Sequence, residues 1–213
     1  MTNDQSNFCE LPDLSGDRGL VAGIDEVGRG ALFGPVVAAA VILPPSTLPQ
    51  LALAGVKDSK QLSRLRRIKL AQEIQRLALD WRIGYATCSE IDQLNISQAS
   101  LLAMKRAVLK LKVQPHLCLV DGKQVVKGLP VPQQNLVKGD ERSLEIAAAS
   151  VVAKVWRDEL IVRFAAKYPD YDLTANKGYG TERHRLALQQ YGSSPQHRLS
   201  FSPCLGLGTN GKR

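Results

Sequence analysis

A chain of 213 residues with 44% hydrophobic and 23% charged residues has the composition and length of one soluble globular domain with a sizeable core. Its net charge of +8 favours a polyanionic partner, nucleic acid before an acidic membrane surface. Composition excludes more than it names. No run approaches the roughly 18–20 apolar residues of a membrane span, the polar N-terminus lacks a signal-peptide pattern, and Cys9, Cys88, Cys118 and Cys204 have no zinc spacing. Free thiols and a cytoplasmic location are therefore expected, with no membrane association.

In chain order, residues 1–18 are polar and mixed, which predicts a flexible arm. The run Val21-Ala22-Gly23-Ile24 climbs to Asp25-Glu26 and breaks at Gly28-Arg29-Gly30, and a second apolar run covers 36–43. That pattern predicts strand, turn, strand, stopped by Pro44-Pro45. After a leucine- and proline-rich loop, Leu70, Ile74 and Leu77 predict a helix over 63–79. Its remaining positions carry Arg64, Arg66, Arg67, Lys69 and Arg76, either a solvated face or a groove wall for phosphates.

A strand is expected over 81–88, a helix N-terminus at Ser89-Glu90-Ile91-Asp92, and a helix over 97–111 with Leu101, Met104, Val108 and Leu111 buried. Leu117-Cys118-Leu119-Val120 reads as a strand covered on both faces and ending at Asp121-Gly122. A short strand over 135–138 should end at Gly139-Asp140, and a long helix over 143–167 should follow. The small Ala147-Ala148-Ala149 patch would let that helix approach a sheet closely, and Ser150, Lys154 and Asp158 recur at i, i+4. A loop through Gly178-Tyr179-Gly180, a helix over 181–191 and a tail over 205–213 complete the chain. A hairpin followed by strands alternating with helices predicts an α/β layered domain with a mixed sheet.

The chemistry concentrates at the carboxylates. Two acids at the end of a buried strand cost several kcal/mol each unless a cation compensates, so a bound metal explains them; a solvated hairpin turn is the alternative. Adjacent strand residues point to opposite faces, so Asp25 and Glu26 can share an ion only where the strand ends. Asp121 sits at a strand's C-terminal end, where ligands commonly bind in α/β sheets. His116, His184 and His197 are too scattered to form a metal motif, and the Gly28–Gly34 spacing is not the dinucleotide fingerprint.

Asp25-Glu26-Val27-Gly28-Arg29-Gly30, with Gly34-Pro35 beyond, resembles the signature of ribonuclease HII, the type 2 ribonuclease H. Five later segments resemble that family in its own order: Lys57-Asp58-Ser59-Lys60-Gln61-Leu62, Val120-Asp121-Gly122, the run from Val137-Lys138-Gly139-Asp140 through Lys154 to Asp158, Lys177-Gly178-Tyr179-Gly180-Thr181, and His197-Arg198-Leu199-Ser200-Phe201. The resemblance implies a ribonuclease H-like α/β fold: a five-stranded mixed sheet flanked by helices, with C-terminal helices lining the substrate groove. The catalytic domain would span 19–204.

It further implies a divalent-metal-assisted endoribonuclease acting as a monomer on RNA–DNA hybrids and on duplex DNA with single embedded ribonucleotides. Cleavage would fall on the 5′ side of the ribonucleotide and leave 3′-hydroxyl and 5′-phosphate ends. By the same resemblance, Asp25, Glu26, Asp121 and Asp140 are the catalytic metal ligands for Mg²⁺ or Mn²⁺, with Asp140 matching the family pattern where Asp158 does not. Gly28, Arg29, Gly30, Ser59, Lys60, Ser150, Lys154 and Tyr179 would bind substrate. The rival expectations are a ribonuclease HIII-like enzyme and a non-catalytic hybrid-binding module.

Overall fold

The computed structural model describes residues 19–205, with only the backbone of residues 58–60. The arm expected over 1–18 and the tail expected over 205–213 lie outside the described residues, Leu205 excepted. The strands are β1 (Val21–Val27), β2 (Val36–Ile42), β3 (Asp80–Ala86), β4 (Leu117–Asp121) and β5 (Gln133–Leu136). They form one sheet in the order β3-β2-β1-β4-β5. β1 and β2 run antiparallel, as do β2 and β3, whereas β4 lies parallel to β1 and β5 parallel to β4. The expected five-stranded mixed sheet is what forms.

The helices are α1 (Leu48–Leu53), α2 (Arg64–Leu77), α3 (Cys88–Leu94), α4 (Ile96–Leu109), α5 (Gly139–Arg142), α6 (Leu144–Ala165), α7 (Leu173–Asn176) and α8 (Glu182–Tyr191). Helices cover both faces of the sheet, which is why all seven residues of β2 are buried. Ala38, Ala40 and Ile42 pack with Ala99, Ala103, Met104 and Ala107 of α4. Ala39 and Val41 face Leu70 and Ile74 of α2 and Ala148, Val151 and Val152 of α6. The alanine patch of α6 does what its lack of bulk suggests: Ala147, Ala148 and Ala149 are buried against the sheet. No helix among the described residues is long and apolar enough to cross a membrane. Cys88, Cys118 and Cys204 are unpaired, buried thiols, and burial pushes Cys118 and Cys204 up to about 11.

Helix starts at Ser63 and Ser143 were legible because their caps are local, whereas the start expected at Ser89 lies two residues earlier, at the Thr87 cap. Ser63 accepts from Arg66 N, Thr87 and Glu90 form a capping box, and Ser143 accepts from Ile146 N at 3.2 Å. Each such cap typically stabilises by about 0.5–2 kcal/mol. Several boundaries differ from expectation. The strand expected over 81–88 ends at Ala86, because Thr87 is already the cap of α3. The stretch after Pro45, expected to be a loop, contains α1, with Pro49 in its first turn where a missing N–H is harmless. In α4 the buried stripe is Ala99, Ser100, Ala103, Met104, Ala107 and Val108, while Leu101 and Leu111 pack only partly against it. Small residues win that face because the helix lies close on the sheet.

One difference bears on the site. The strand expected to run into Gly139-Asp140 ends at Leu136. Lys138 takes a left-handed conformation at φ 53° and turns the chain into α5. Asp140 therefore enters from the first turn of a short helix rather than from a strand end.

Candidate metal centre and nucleic-acid cleft

β1 carries Asp25 and Glu26 just before its last residue, Val27, and β4 pairs alongside it so that Val120 is opposite Ile24. That register brings Asp121, next after Val120, beside the β1 pair. Carboxylate oxygens of Asp25, Glu26 and Asp121 all lie within 4.8 Å of one another. Asp25 is 6% exposed. Its carboxyl is raised well above the ordinary range, first by burial and then by Glu26 and Asp121, against a lowering hydrogen bond from Ser150. Glu26 is raised by burial too, opposed by Arg29, whose Nη1 donates to Oε1 at 3.1 Å. Asp121 Oδ1 accepts from Gly139 N at 2.7 Å, which ties β4 to the start of α5.

Three crowded carboxylates at a strand edge concentrate negative charge that a bound cation would neutralise. The donor set is all oxygen, as hard divalent ions require. The residues present thus fit a divalent metal. Asp140 lines the same cleft but stands outside the close group of three. Asp158 turns away and ion-pairs with Lys154 at 2.8 Å, as its helical spacing suggests.

The acids sit in an open cleft of about 390 Å³ lined also by Val27, Arg67, Ser150, Val151, Lys154 and Tyr179. Of the residues expected to bind substrate, Ser150, Lys154 and Tyr179 line it, and Arg29 and Gly30 are exposed beside it. The side chains of Ser59 and Lys60 lie outside the described residues; their backbone forms a 3-10 turn over Val56–Gln61. Tyr179 is half-buried beneath two cations, with Lys154 Nζ 5.5 Å and the Arg157 guanidinium 5.4 Å from its ring centre.

Sequence reasoning left one group undecided and gave no structural role to another. Arg67 lines the cleft, and with Arg64 it also borders a groove between α2 and α6, so part of the basic helix face is a wall rather than a solvated surface. The signal was present, but helical periodicity does not say which polar face meets a neighbour. The second group is Arg157 and Arg198, both fully buried. Arg157 donates to the carbonyls of Pro35, Phe33 and Lys177 at 3.1, 2.9 and 2.9 Å. Arg198 donates to Gly34 O at 3.0 and 2.9 Å and to Arg29 O at 2.8 Å. Two guanidinium groups thus satisfy the carbonyls of the turn that follows β1, which would otherwise be buried without partners.

The turn's glycines play different parts. Gly28 has φ +90°, and a Cβ there would come 2.2 Å from Arg157 Nε, so the fold itself demands glycine. At Gly30 a Cβ would meet nothing within 4 Å. Packing therefore does not explain Gly30.

Comparison with known proteins agrees with this site. The family described as Ribonuclease HII matches residues 22–204. A Ribonuclease HII of Trichormus variabilis is 67% identical over 193 residues, covering 91% of this chain and 86% of that one. The crystal structure of ribonuclease H2 from Pyrococcus horikoshii superposes with a TM-score of 0.76 at 27% identity, over 87% of this chain and 95% of that one. A Bst ribonuclease HIII solved with Mn²⁺ gives a TM-score of 0.72 at 18% identity, over 87% of this chain and 68% of that one, a likeness of fold alone. The family match sets aside the ribonuclease HIII-like reading, and the intact acid cluster sets aside the non-catalytic module. The chain belongs to the ribonuclease HII family and is an endoribonuclease acting on RNA–DNA hybrids.

Proposed function

We propose that this enzyme also cuts duplex DNA on the 5′ side of a single embedded ribonucleotide, leaving a 3′-hydroxyl and a 5′-phosphate. The observation carrying the proposal is the joining of two features: a cleft holding three carboxylates within 4.8 Å of each other and a half-buried tyrosine, and an open glycine turn directly after the strand that bears two of those acids. Residues 19–204 would be the catalytic unit, working as a cytoplasmic monomer. Asp25, Glu26 and Asp121 would hold Mg²⁺ or Mn²⁺, with Asp140 helping to position a second ion and the attacking water. Such ions, when bound, provide a nucleophilic hydroxide near neutral pH and offset charge building on the phosphate.

The chain's own residues supply position. Arg67 and Lys154 face phosphates from the cleft wall, and their planar or point charges hold the backbone without reading sequence. Arg29, half-exposed and braced by Glu26, can reach a phosphate at the turn. The 2′-hydroxyl is the group that distinguishes RNA from DNA at one position. The space at Gly30 lets backbone approach that sugar, while the Tyr179 ring stacks on the neighbouring nucleotide. Ser150 is bonded to Asp25 and borders the same cleft, so it aligns the acid it touches.

The decisive test is a duplex carrying one ribonucleotide, incubated with Mg²⁺ or Mn²⁺, with the cut position mapped. Cleavage at the 5′ side supports the proposal, and hybrid-only activity overturns it. Gly30→Ala is expected to leave thermal stability unchanged, since the added methyl meets open space. It should slow cleavage by ~10-fold or more, because small misplacements of a reacting group are costly. Equal rates in variant and wild type would remove Gly30 from the binding surface. Asp140→Asn should slow single-turnover cleavage by orders of magnitude with little change in melting temperature. Asp158→Asn should only lose its helical ion pair with Lys154, worth about 0.2–0.5 kcal/mol. The reverse order of rates would make Asp158 the fourth acid.

A further inference from the structure

His184 and His197, 13 residues apart in sequence, form a buried pair, 0% and 1% exposed, with their Nε2 atoms 3.0 Å apart. The partners at the outer nitrogens fix one arrangement of protons. His184 Nδ1 lies 2.9 Å from Tyr179 O, and a carbonyl only accepts, so Nδ1 carries the hydrogen. His184 Nε2 is then an acceptor, and His197 Nε2 donates to it. His197 Nδ1 is left to accept, and it receives Ser194 N–H at 2.9 Å and the Ser194 hydroxyl at 2.9 Å. Every nitrogen has a partner only when both rings are neutral. Burial agrees: it holds His184 below its usual value and brings His197 down to about 3.

This chain of bonds ends on the backbone of the residue proposed to read the ribonucleotide. Tyr179 O accepts from Thr181 N at 2.8 Å as well, so its peptide is fixed from two sides. The same short segment that holds His197 also grips the glycine turn. His197 bridges Phe33, Arg198 N donates to Leu32 O, and the Arg198 guanidinium takes Arg29 O and Gly34 O. Phe33 sets its ring edge-on to His197, with centroids 5.0 Å apart. Buried polar rings cost free energy unless fully bonded, and an apolar pair of like volume would fill the space as well. A satisfied network instead specifies one arrangement of the two loops.

We infer that the Ser194–His197–His184 chain is a positioning device that sets Tyr179 against the Gly28–Gly30 turn and so governs discrimination between an isolated ribonucleotide and a uniform hybrid. This rests on the proposed role of Tyr179 as a reader of the junction. His184 touches no substrate in this scheme and acts through Tyr179.

Two variants of matched polarity separate positioning from stability. An asparagine amide overlays Nδ1 of histidine, so His184→Asn keeps the donor to Tyr179 O and loses His197. A glutamine amide overlays Nε2, so His184→Gln keeps the contact with His197 and loses Tyr179. The readout is the ratio of the single-turnover rate on a single-ribonucleotide duplex to that on a long RNA–DNA hybrid, with Tyr179→Ala measured alongside. His184→Gln should lower the ratio by ~10-fold or more, as misplacement of a positioning group by a fraction of an ångström does, and His184→Asn, whose donor is no longer braced by His197, should lower it by a smaller factor. The double variant with Tyr179→Ala should lose no more than Tyr179→Ala alone.

If both histidine variants lower the two rates in parallel, with the ratio unchanged, the pair is structural only and the inference is overturned while the role of Tyr179 stands. If Tyr179→Ala itself leaves the ratio unchanged, the junction reading fails, and the inference falls with it. Should His184→Gln be too unstable to assay, Ser194→Ala and His197→Gln remove the far end of the same chain. A ratio at the wild-type value in both would overturn the inference equally.

Discussion

Asp121→Asn is expected to abolish cleavage while making the metal-free protein more stable. Asparagine keeps an Oδ1 to accept the 2.7 Å bond from Gly139 N, so the link from β4 to α5 survives. What is lost is one of three negative charges whose oxygens crowd within 4.8 Å. That crowding, together with burial, already drives the Asp25 carboxyl well above its ordinary range. Relieving it should raise the melting temperature measured without divalent ions at neutral pH. The same charge is needed for a cation, so Mg²⁺ should raise the melting temperature of the wild type far more than that of the variant. Activity should fall by at least ~10²–10³-fold, the loss typical of removing one preorganised group that stabilises developing charge. Binding of hybrid should persist, since Arg67, Lys154 and Arg29 are untouched. Wild-type turnover in a folded variant would refute the metal assignment. Equal stabilisation of both proteins by Mg²⁺ would move the ion elsewhere.

Tyr179→Ala is expected to separate the two substrates. A uniform RNA strand offers many 2′-hydroxyls, and imprecise positioning still brings some phosphate to the acids. An isolated ribonucleotide offers a single register. A ring stacked beyond the junction favours that register, and base–aromatic stacking is typically worth about 1–3 kcal/mol. Cleavage at a lone ribonucleotide should therefore fall by roughly 5- to 150-fold, the rate equivalent of that stacking energy, and cleavage of long hybrid far less. The metal concentration for half-maximal rate should not move, because Tyr179 is held by Lys154 and Arg157 rather than by the carboxylate group. Equal losses on both substrates would make it a general structural residue. A large shift in metal dependence would assign it to the support of the acids.

What the sequence by itself determined lies within a few residues of each signal. Ser63, Ser143 and Thr181 announce their helices because a capping side chain bonds an amide three positions on. The β-branched and alanine runs announce buried strands, and Asp25, Glu26 and Asp121 stand out because charge is costly at the end of such a run. The motif resemblance added order to these marks, and the family to which they belong.

Tertiary structure decided everything that joins distant segments. Asp121 meets Asp25 only because β4 pairs parallel to β1 in one register, a choice made by packing across some 96 residues. Asp140 enters on a short helix because Lys138 turns left-handed, which no periodicity signals. Arg67 becomes a cleft wall because α2 docks with that edge toward α6. Arg198 reaches the carbonyl of Arg29 from 169 residues away, and His184 finds His197 only when the last loops fold over the turn after β1. Local patterns record the cost of burying a residue. Which partner offsets that cost is settled by the packing of the whole chain.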